Sequence, residues 1–159
     1  MKKVLLALLV SAISFATSFA QTTDTTQPAH RAFIYAGTNF APHSNLSYSA
    51  EIGTWGMTSN TSFSATFDVV PVNGVLHDWI GAKTYYTVHS EAKLCYMVYV
   101  APKYALDGSK DQLIEFGFNP NYTLNKNFLL GITLGDQAYA GSPWNLFVSA
   151  GIVFLIPKN

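Results

Sequence analysis

Apolar and polar residues alternate along most of the chain from residue 31 onward. The stretch 63–69 (FSATFDV) alternates apolar with polar residues, and 128–135 (FLLGITLG) alternates bulky with small ones. A period of two is typical of β-strands, whose successive side chains point to opposite faces, and no segment shows a helical period. This alternation, with the turn residues that interrupt it, predicts eight strands at 31–40, 46–57, 61–71, 76–88, 92–104, 112–124, 127–136 and 143–156.

The connections between these segments alternate between short and longer ones. The short connections are 58–60, 89–91 and the residues around 125–126, and the longer ones are 41–45, 72–75, 105–111 and 137–142. In an up-and-down meander every second connection lies at the same end, so one end is tight and the other carries loops. We therefore predict an all-β fold, an eight-stranded antiparallel up-and-down meander closed into a barrel, with the four longer connections at one end.

Composition indicates which face of this barrel meets water. Only 11% of the residues are charged and 49% are hydrophobic, whereas soluble domains carry roughly 25% charged residues. The polar face consists mostly of small residues, while soluble exteriors favour Lys and Glu, and an eight-stranded barrel has little interior space. We predict a transmembrane barrel with its bulky face toward lipid and these residues inside: Ser47, Ser49, Ser64, Thr66, Gly81, Gly117, Gly131, Thr133, Ser149 and Gly151. The alternative is a soluble exported barrel that turns its apolar face inward and binds a small apolar ligand.

The first twenty residues have the pattern of a secretory signal peptide. Two lysines precede a short apolar run, and Ser18 and Ala20 are small residues of the kind that signal peptidase reads. The following stretch 21–30 (QTTDTTQPAH) is polar and without periodicity, which predicts a flexible periplasmic arm. The expected organisation is a signal peptide at 1–20, the arm at 21–30 and the barrel domain at 31–159. Loss of the two leader lysines leaves seven basic against nine acidic residues.

Several aromatic residues lie near segment ends, where amphipathic rings favour lipid headgroups. Tyr104, Tyr122 and Trp144 share the apolar face, and we expect them at the membrane interfaces. Trp55 and Trp79 have the opposite parity. Either a bulge shifts the register near Gly53 and Gly81, or these two side chains point into the barrel.

Five charged residues lie within the predicted strands with polar-face parity. Pairing the hairpins places Glu51, Asp68 and Lys83 at similar height on consecutive strands, and Lys103 opposite Glu115 across the next hairpin. A lysine facing lipid at mid-bilayer costs about 2 to 4 kcal/mol, so inward placement is favoured. We interpret the five as an ion-pair cluster that plugs the lumen, since eight strands leave no porin-like channel. A narrow ion path is the alternative.

These features together resemble the small eight-stranded outer-membrane β-barrel proteins, the group of the outer-membrane protein A transmembrane domain and outer-membrane protein X. The resemblance covers nearly the whole chain after the leader and is one of architecture. Its most specific element is the last strand, in which Ser149, Gly151, Phe154 and Ile156 match a polar-x-Gly-x-x-aromatic-x-hydrophobic insertion signal. Members of the group commonly end on an aromatic residue, whereas this chain continues for three residues after Ile156.

Catalytic groups are sparse. His43 and Ser44, with Glu51 nearby, are similar to the His-x-Ser-Asn and Glu set of lipid A deacylases, but here His and Ser are adjacent. Adjacent residues on an extended chain point to opposite faces, so the hydroxyl would lack its base. We predict that the protein is not an enzyme, with a lipid A-modifying barrel hydrolase as the lesser alternative.

Cofactor and metal sites are not predicted. His43, His77 and Asp78 lie on or next to neighbouring long connections, but nothing in the sequence fixes the distances between them. There is no phosphate-binding glycine loop, paired-cysteine motif or nucleotide fingerprint, and the lack of basic excess argues against nucleic acid.

The resulting expectation is an integral protein of a bacterial outer membrane, exported by its signal peptide, with a structural or surface-interaction role in the cell envelope. Its expected partners are outer-membrane lipid, lipopolysaccharide and the barrel-assembly machinery. The longer connections would be extracellular. The sequence does not indicate an extracellular ligand.

Overall fold

The computed structural model describes residues 31–41, 46–56, 60–72, 75–109, 111–139 and 144–157, apart from the side chains of residues 71, 72 and 139. Eight strands account for most of these residues. Their bounds are β1 Arg31–Phe40, β2 Ser47–Trp55, β3 Thr61–Val72, β4 Val75–Ser90, β5 Leu94–Ala105, β6 Gln112–Thr123, β7 Phe128–Tyr139 and β8 Asn145–Leu155. The described part of the chain contains no helix long and apolar enough to cross a membrane.

Every strand pairs antiparallel with the next, and β8 pairs with β1 to close the barrel. The predicted fold is therefore confirmed. Connections of three to five residues, 56–60, 91–93 and 124–127, lie at the end where β1 begins and β8 ends. We call this the turn end. The opposite end, called the loop end, carries the other four connections, including 41–46, 106–111 and 140–144.

The connection between β3 and β4 differs from the expectation. The sequence predicted one of the four longer connections over 72–75. In the structure only two residues separate Val72 from Val75, and Val72 and Val75 form the last pair of the β3–β4 ladder. The β3–β4 pairing continues through Pro71 and Leu76 to the two valines, which are β-branched and favour extended backbone, so both strands reach the hairpin. The Asn-Gly sequence at 73–74, a strong signal for a two-residue hairpin, could have predicted this.

The two faces of the barrel have opposite chemistry. Large apolar side chains of every strand point outward and are exposed, with Leu146 and Ile52 more than half accessible. The small residues predicted for the interior all lie on the inward face, where a period of two places them. This arrangement is the reverse of what a soluble barrel with an apolar lumen requires.

The interior also contains large rings that the emphasis on small residues did not anticipate. Phe33, Tyr35, Tyr85, Tyr99 and Phe147 are all buried in it. Three of these rings lie against inward-facing glycines: Tyr35 against Gly37 and Gly151, Tyr99 against Gly117 and Gly135, and Phe147 against Gly135.

Both tryptophans of unexpected parity also point inward. Trp79 is buried, and Trp55 packs edge-on against Phe33 with ring centroids 6.1 Å apart. The pairing of β2 with its neighbours is continuous through Gly53, and that of β3 with β4 through Gly81, while the register of β4 with β5 shifts between Thr87 and His89.

Arg31 closes the seam between the first and last strands at the turn end. Its guanidinium donates to the carbonyl oxygens of Leu155, Ile156 and Lys126 and to Oδ1 of Asn127. Hydrogen bonds from a charged donor are stronger than neutral ones. One side chain therefore ties β1 to β8 and to the β6–β7 turn.

Candidate functional site in the barrel lumen

The candidate site is a layer of five charged side chains inside the barrel. Glu51, Asp68, Lys83, Lys103 and Glu115 come from β2, β3, β4, β5 and β6, one from each strand, and all five are buried. The sequence placed them in two separate groups. The structure joins them into one network, because Lys103 contacts Asp68 as well as Glu115, and Lys83 reaches Glu115.

Glu51 and Lys83 form the half of the network nearer the turn end. Lys83 Nζ lies 2.6 Å from Oε1 of Glu51. The other carboxylate oxygen of Glu51 accepts hydrogen bonds from Ser64 Oγ at 2.9 Å and from the Tyr85 hydroxyl at 2.6 Å. Lys83 Nζ also lies 4.6 Å from the centroid of the Tyr99 ring, within cation–π range. Both charges are thus held by several partners.

Lys103 organises the other half. Its Nζ lies 2.6 Å from Oδ2 of Asp68 and 2.6 Å from Oε2 of Glu115. Oε1 of Glu115 accepts a hydrogen bond from the Tyr99 hydroxyl at 2.9 Å and lies 3.6 Å from Lys83 Nζ. Glu115 therefore links the two lysines, and Tyr99 contacts both halves of the network.

Asp68 is the least satisfied member of the network. Its Oδ2 is paired with Lys103 Nζ at 2.6 Å, whereas its Oδ1 has no hydrogen-bond partner among the described residues. The hydroxyl of Thr66, two residues earlier on the same inward face, is also unpartnered there. Three carboxylates face two lysines, so the network carries one excess negative charge, on the side nearer the loop end.

Two small cavities flank the network. The one nearer the turn end is lined by Tyr35, Glu51 and Lys83 among others, and the one at the loop end by Asp68 and Lys103. Glu115 lines both. Each cavity leaves room for only a water molecule or two. Such a lumen has space for water next to its charged side chains, but not for a drug-sized ligand.

Polar and aromatic side chains fill the lumen between the charged layer and the turn end. The Tyr35 hydroxyl and Ser149 Oγ share a hydrogen bond of 2.9 Å, and Asn119 Nδ2 donates to Thr133 Oγ1 at 2.7 Å. Asn121 Nδ2 donates to the side-chain oxygen of Asn119 at 2.5 Å. Nearer the turn end the lining is apolar, comprising Phe33, Leu129, Val153 and Leu155.

The three predicted interface aromatics all lie on the outside of the barrel. Tyr104 and Trp144 are exposed at the loop end, and Trp144 packs edge-on against Phe116 with centroids 5.0 Å apart. Tyr122 is exposed at the turn end. Tyr96 stands at that same end of β5, eight residues before Tyr104, so at the rise and tilt of barrel strands the two girdles are roughly 20 Å apart. This spacing is close to the apolar band of an outer-membrane barrel.

The four residues of the predicted insertion signal have mixed orientations. Ser149 and Gly151 face the lumen, whereas Phe154 faces outward and packs against Phe128 with centroids 5.0 Å apart. Ile156 is exposed, lies one residue beyond β8 and donates its backbone N–H to the Ala32 carbonyl.

Solved structures of membrane barrels match this architecture. The N-terminal β-barrel domain of Pseudomonas aeruginosa OprF matches with a TM-score of 0.64 and 15% identity, covering 79% of this chain and 97% of that one. Neisserial surface protein A gives 0.54 and 12%, covering 80% and 96%. A designed transmembrane β-barrel gives 0.63 and 13%, covering 82% and 98%. No protein-family model and no curated protein matches the sequence.

The chain has the fold of the small eight-stranded outer-membrane barrels. The resemblance noted from the sequence is thereby confirmed at the level of architecture, and at these identities the likeness extends to the fold alone.

A second polar contact, outside the lumen, was not anticipated. His77 Nδ1 lies 2.7 Å from Oδ2 of Asp107, which joins the β3–β4 hairpin to the 106–111 loop. The backbone N–H of Leu106 donates to the Asp78 carbonyl at 2.8 Å beside it. Residues 43–45, which carry the remaining hydrolase and metal candidates, lie outside the described residues. In the described ranges no group of three His, Cys, Asp or Glu residues is arranged to hold a metal ion.

We expect the Asp107 carboxyl to titrate well below an ordinary aspartate. Hydrogen bonds from the Ser109 side chain and backbone N–H, and then from His77, lower its pKa from 3.8 to about 2. A lowered pKa means that the loop contact is fully stabilising above pH 3.8 and is lost as the pH falls through about 2. Ser109→Ala should raise the pKa of Asp107 toward 3.8, as followed by NMR of the carboxyl carbon.

His77→Gln serves as the comparison, and it should raise the pKa of Asp107 by less than Ser109→Ala does, because the Ser109 hydrogen bond has the larger effect. An Asp107 pKa that moves in neither variant would contradict the hydrogen bonding described for this loop.

Proposed function

We propose that the chain is an integral protein of a bacterial outer membrane, exported by its leader, with a structural or surface-interaction role. The longer loops at the loop end are extracellular, and the lumen is closed by polar and charged side chains. The observation that carries this proposal is the inverted chemistry of the barrel. An exposed apolar surface runs between two aromatic girdles, while five charged side chains are buried inside.

The physics of the bilayer supports the membrane location. An exposed apolar surface this extensive around a whole barrel would associate or aggregate in water. In a bilayer the same surface faces hydrocarbon, and the closed ladder leaves no strand edge without a partner. Each of the eight strands has at least nine residues, which is enough for a tilted strand to cross hydrocarbon.

The packing of the lumen supports a plug. Lys83 and Lys103 each contact two carboxylates, and Tyr85 and Tyr99 fill the space beside them. The cavities on either side of the network are water-sized, which favours a closed lumen over a continuous path for ions. We therefore propose a plugged lumen and not the narrow ion path that the sequence left as the alternative.

The partners follow from this location. Outer-membrane lipid surrounds the apolar band, and lipopolysaccharide surrounds the loop end. The barrel-assembly machinery would read the last strand through Ser149, Gly151, Phe154 and Ile156. We propose no catalytic step, metal or cofactor.

Cysteine labelling in intact cells tests both the location and the orientation. Leu106 at the loop end and Leu124 at the turn end are matched in chemistry and exposure, at 55% and 54%. In a Cys95→Ala background, Leu106→Cys should react with a membrane-impermeant maleimide in intact cells. Leu124→Cys should react only after the outer membrane is permeabilised.

Labelling of Leu124→Cys in intact cells, with Leu106→Cys protected, would reverse the proposed orientation. Equal protection of both sites in intact cells, with the protein released in the periplasmic fraction, would contradict the membrane location.

A further inference from the structure

Among the described residues, most charges outside the lumen are basic at the turn end and acidic at the loop end. At the turn end the described residues include Arg31, Lys93 and Lys126, with one acidic residue, Glu91. At the loop end Asp78, Asp107 and Asp111 lie on or next to the connections. Since the formal charge of the whole sequence is zero, composition alone hides this polarity.

The three basic residues of the turn end lie along one continuous part of the rim. The Lys93 carbonyl accepts the N–H of Thr123, where β6 enters the next turn. The Lys126 carbonyl in that turn accepts a hydrogen bond from Arg31 at 2.7 Å. Three neighbouring positions of the rim therefore carry a positive charge. We call Arg31, Lys93 and Lys126 the basic rim.

The lysines of this rim are available to an external partner. Lys93 and Lys126 are both exposed, and neither side chain forms an ion pair with a described residue. The acidic neighbour, Glu91, instead contacts His89 at 3.0 Å. The guanidinium of Arg31 donates its hydrogen bonds within the barrel seam, so the ammonium groups of Lys93 and Lys126 are the ones available to an external partner.

The rim also lies at the right height for lipid headgroups. Tyr96 and Tyr122 mark the turn-end girdle, and each is within four residues of a rim lysine along the chain. Aromatic girdle residues sit at headgroup level, and lysine side chains next to them extend toward the phosphates.

We propose that the basic rim binds the phosphate groups of anionic phospholipid in the leaflet at the turn end. This inference rests on the proposed membrane insertion and adds a leaflet and a headgroup class to it. Each lysine near an anionic surface contributes about 1 kcal/mol, which corresponds to about fivefold in an equilibrium constant. The acidic loop end makes the attraction specific to one side of the protein.

The test measures folding into vesicles of two compositions. The protein is equilibrated with phosphatidylcholine vesicles, or with vesicles that also contain phosphatidylglycerol, across a urea series at low salt. The quantity compared is the ratio of the folding constants in the two lipids. Lys93→Gln combined with Lys126→Gln should lower this ratio by more than about tenfold relative to wild type. High salt should remove the difference between variant and wild type, because it screens exposed charges.

Lys110→Gln, a lysine that follows Ser109 in the sequence and is not part of the basic rim, is the control, and it should not lower the ratio. The acidic loop end faces anionic lipid in all of these vesicles, so its effect cancels between wild type and the double variant. A double variant with the wild-type ratio would overturn the proposal, and so would an equal drop in Lys110→Gln. Failure of the wild type to fold into either vesicle would instead count against the proposed function.

Discussion

Replacing Lys103 with methionine is expected to lower the free energy of unfolding by about 3 to 5 kcal/mol, the cost of leaving buried charges without their partner. Lys103 Nζ contacts Asp68 and Glu115 at 2.6 Å each, so its loss leaves two buried carboxylates close together with only Lys83 to offset them. Chemical unfolding in detergent micelles, followed by tryptophan fluorescence, measures the change.

The matched control for this prediction is Asp68→Asn. It keeps the side-chain shape, leaves the Lys103–Glu115 contact in place and removes the excess negative charge of the network. We expect it to unfold within about 1 kcal/mol of wild type. Lys83→Met should follow Lys103→Met in lowering stability, because it strips Glu51 of its ion-pair partner. Equal stability of Lys103→Met and wild type would show that the network is not tightly paired.

Replacing Gly151 with alanine is expected to cost about 1 to 3 kcal/mol, as is typical when a methyl group is forced into a packed interior. Gly151 pairs with Gly37 across the β8–β1 seam, and the Tyr35 ring lies against both glycines. A Cβ at residue 151 would overlap this ring and the Ala36 carbonyl oxygen, and the latter is backbone that cannot move aside. The Tyr35–Ser149 hydrogen bond would be displaced as well.

Gly131→Ala provides the comparison within the same row, because Gly131 pairs with Gly151 across the next strand. A Cβ there would approach Oδ1 of Asn121 at 3.0 Å, which is the end of a side chain, and would meet nothing else closer than 3.8 Å. We expect a smaller loss than for Gly151→Ala in the same unfolding measurement. The reverse order would mean that Tyr35 does not pack on the glycine pair.

Much of the fold was predictable because a membrane barrel repeats one simple rule. Side chains of each strand alternate between the outside of the barrel and its lumen, so the period of two in 63–69 or 128–135 identifies both the strand and its outward face. The predicted length of the β3–β4 connection was wrong because it was inferred from the point where the apolar alternation weakens. The pairing there continues through Pro71 and Val72 to the hairpin.

The candidate site was predictable in membership but not in arrangement. Parity alone selects Glu51, Asp68, Lys83, Lys103 and Glu115 as inward-facing, since charges on the lipid face are costly. Which carboxylate meets which lysine depends on the stagger between strands, which hairpin pairing gives only for neighbours. The contact of Lys83 with Glu115, two strands away, therefore could not be read from the sequence.

Gel mobility of the outer-membrane fraction, with and without boiling, tests most directly whether this chain is a closed, membrane-inserted barrel. The full precursor is expressed, outer membranes are isolated, and the detergent-solubilised protein is compared in the two states. We expect the chain in the membrane fraction, with a band that shifts on heating because the compact barrel unfolds only then. A periplasmic protein that needs no detergent and shows no shift would contradict the outward placement of the apolar face.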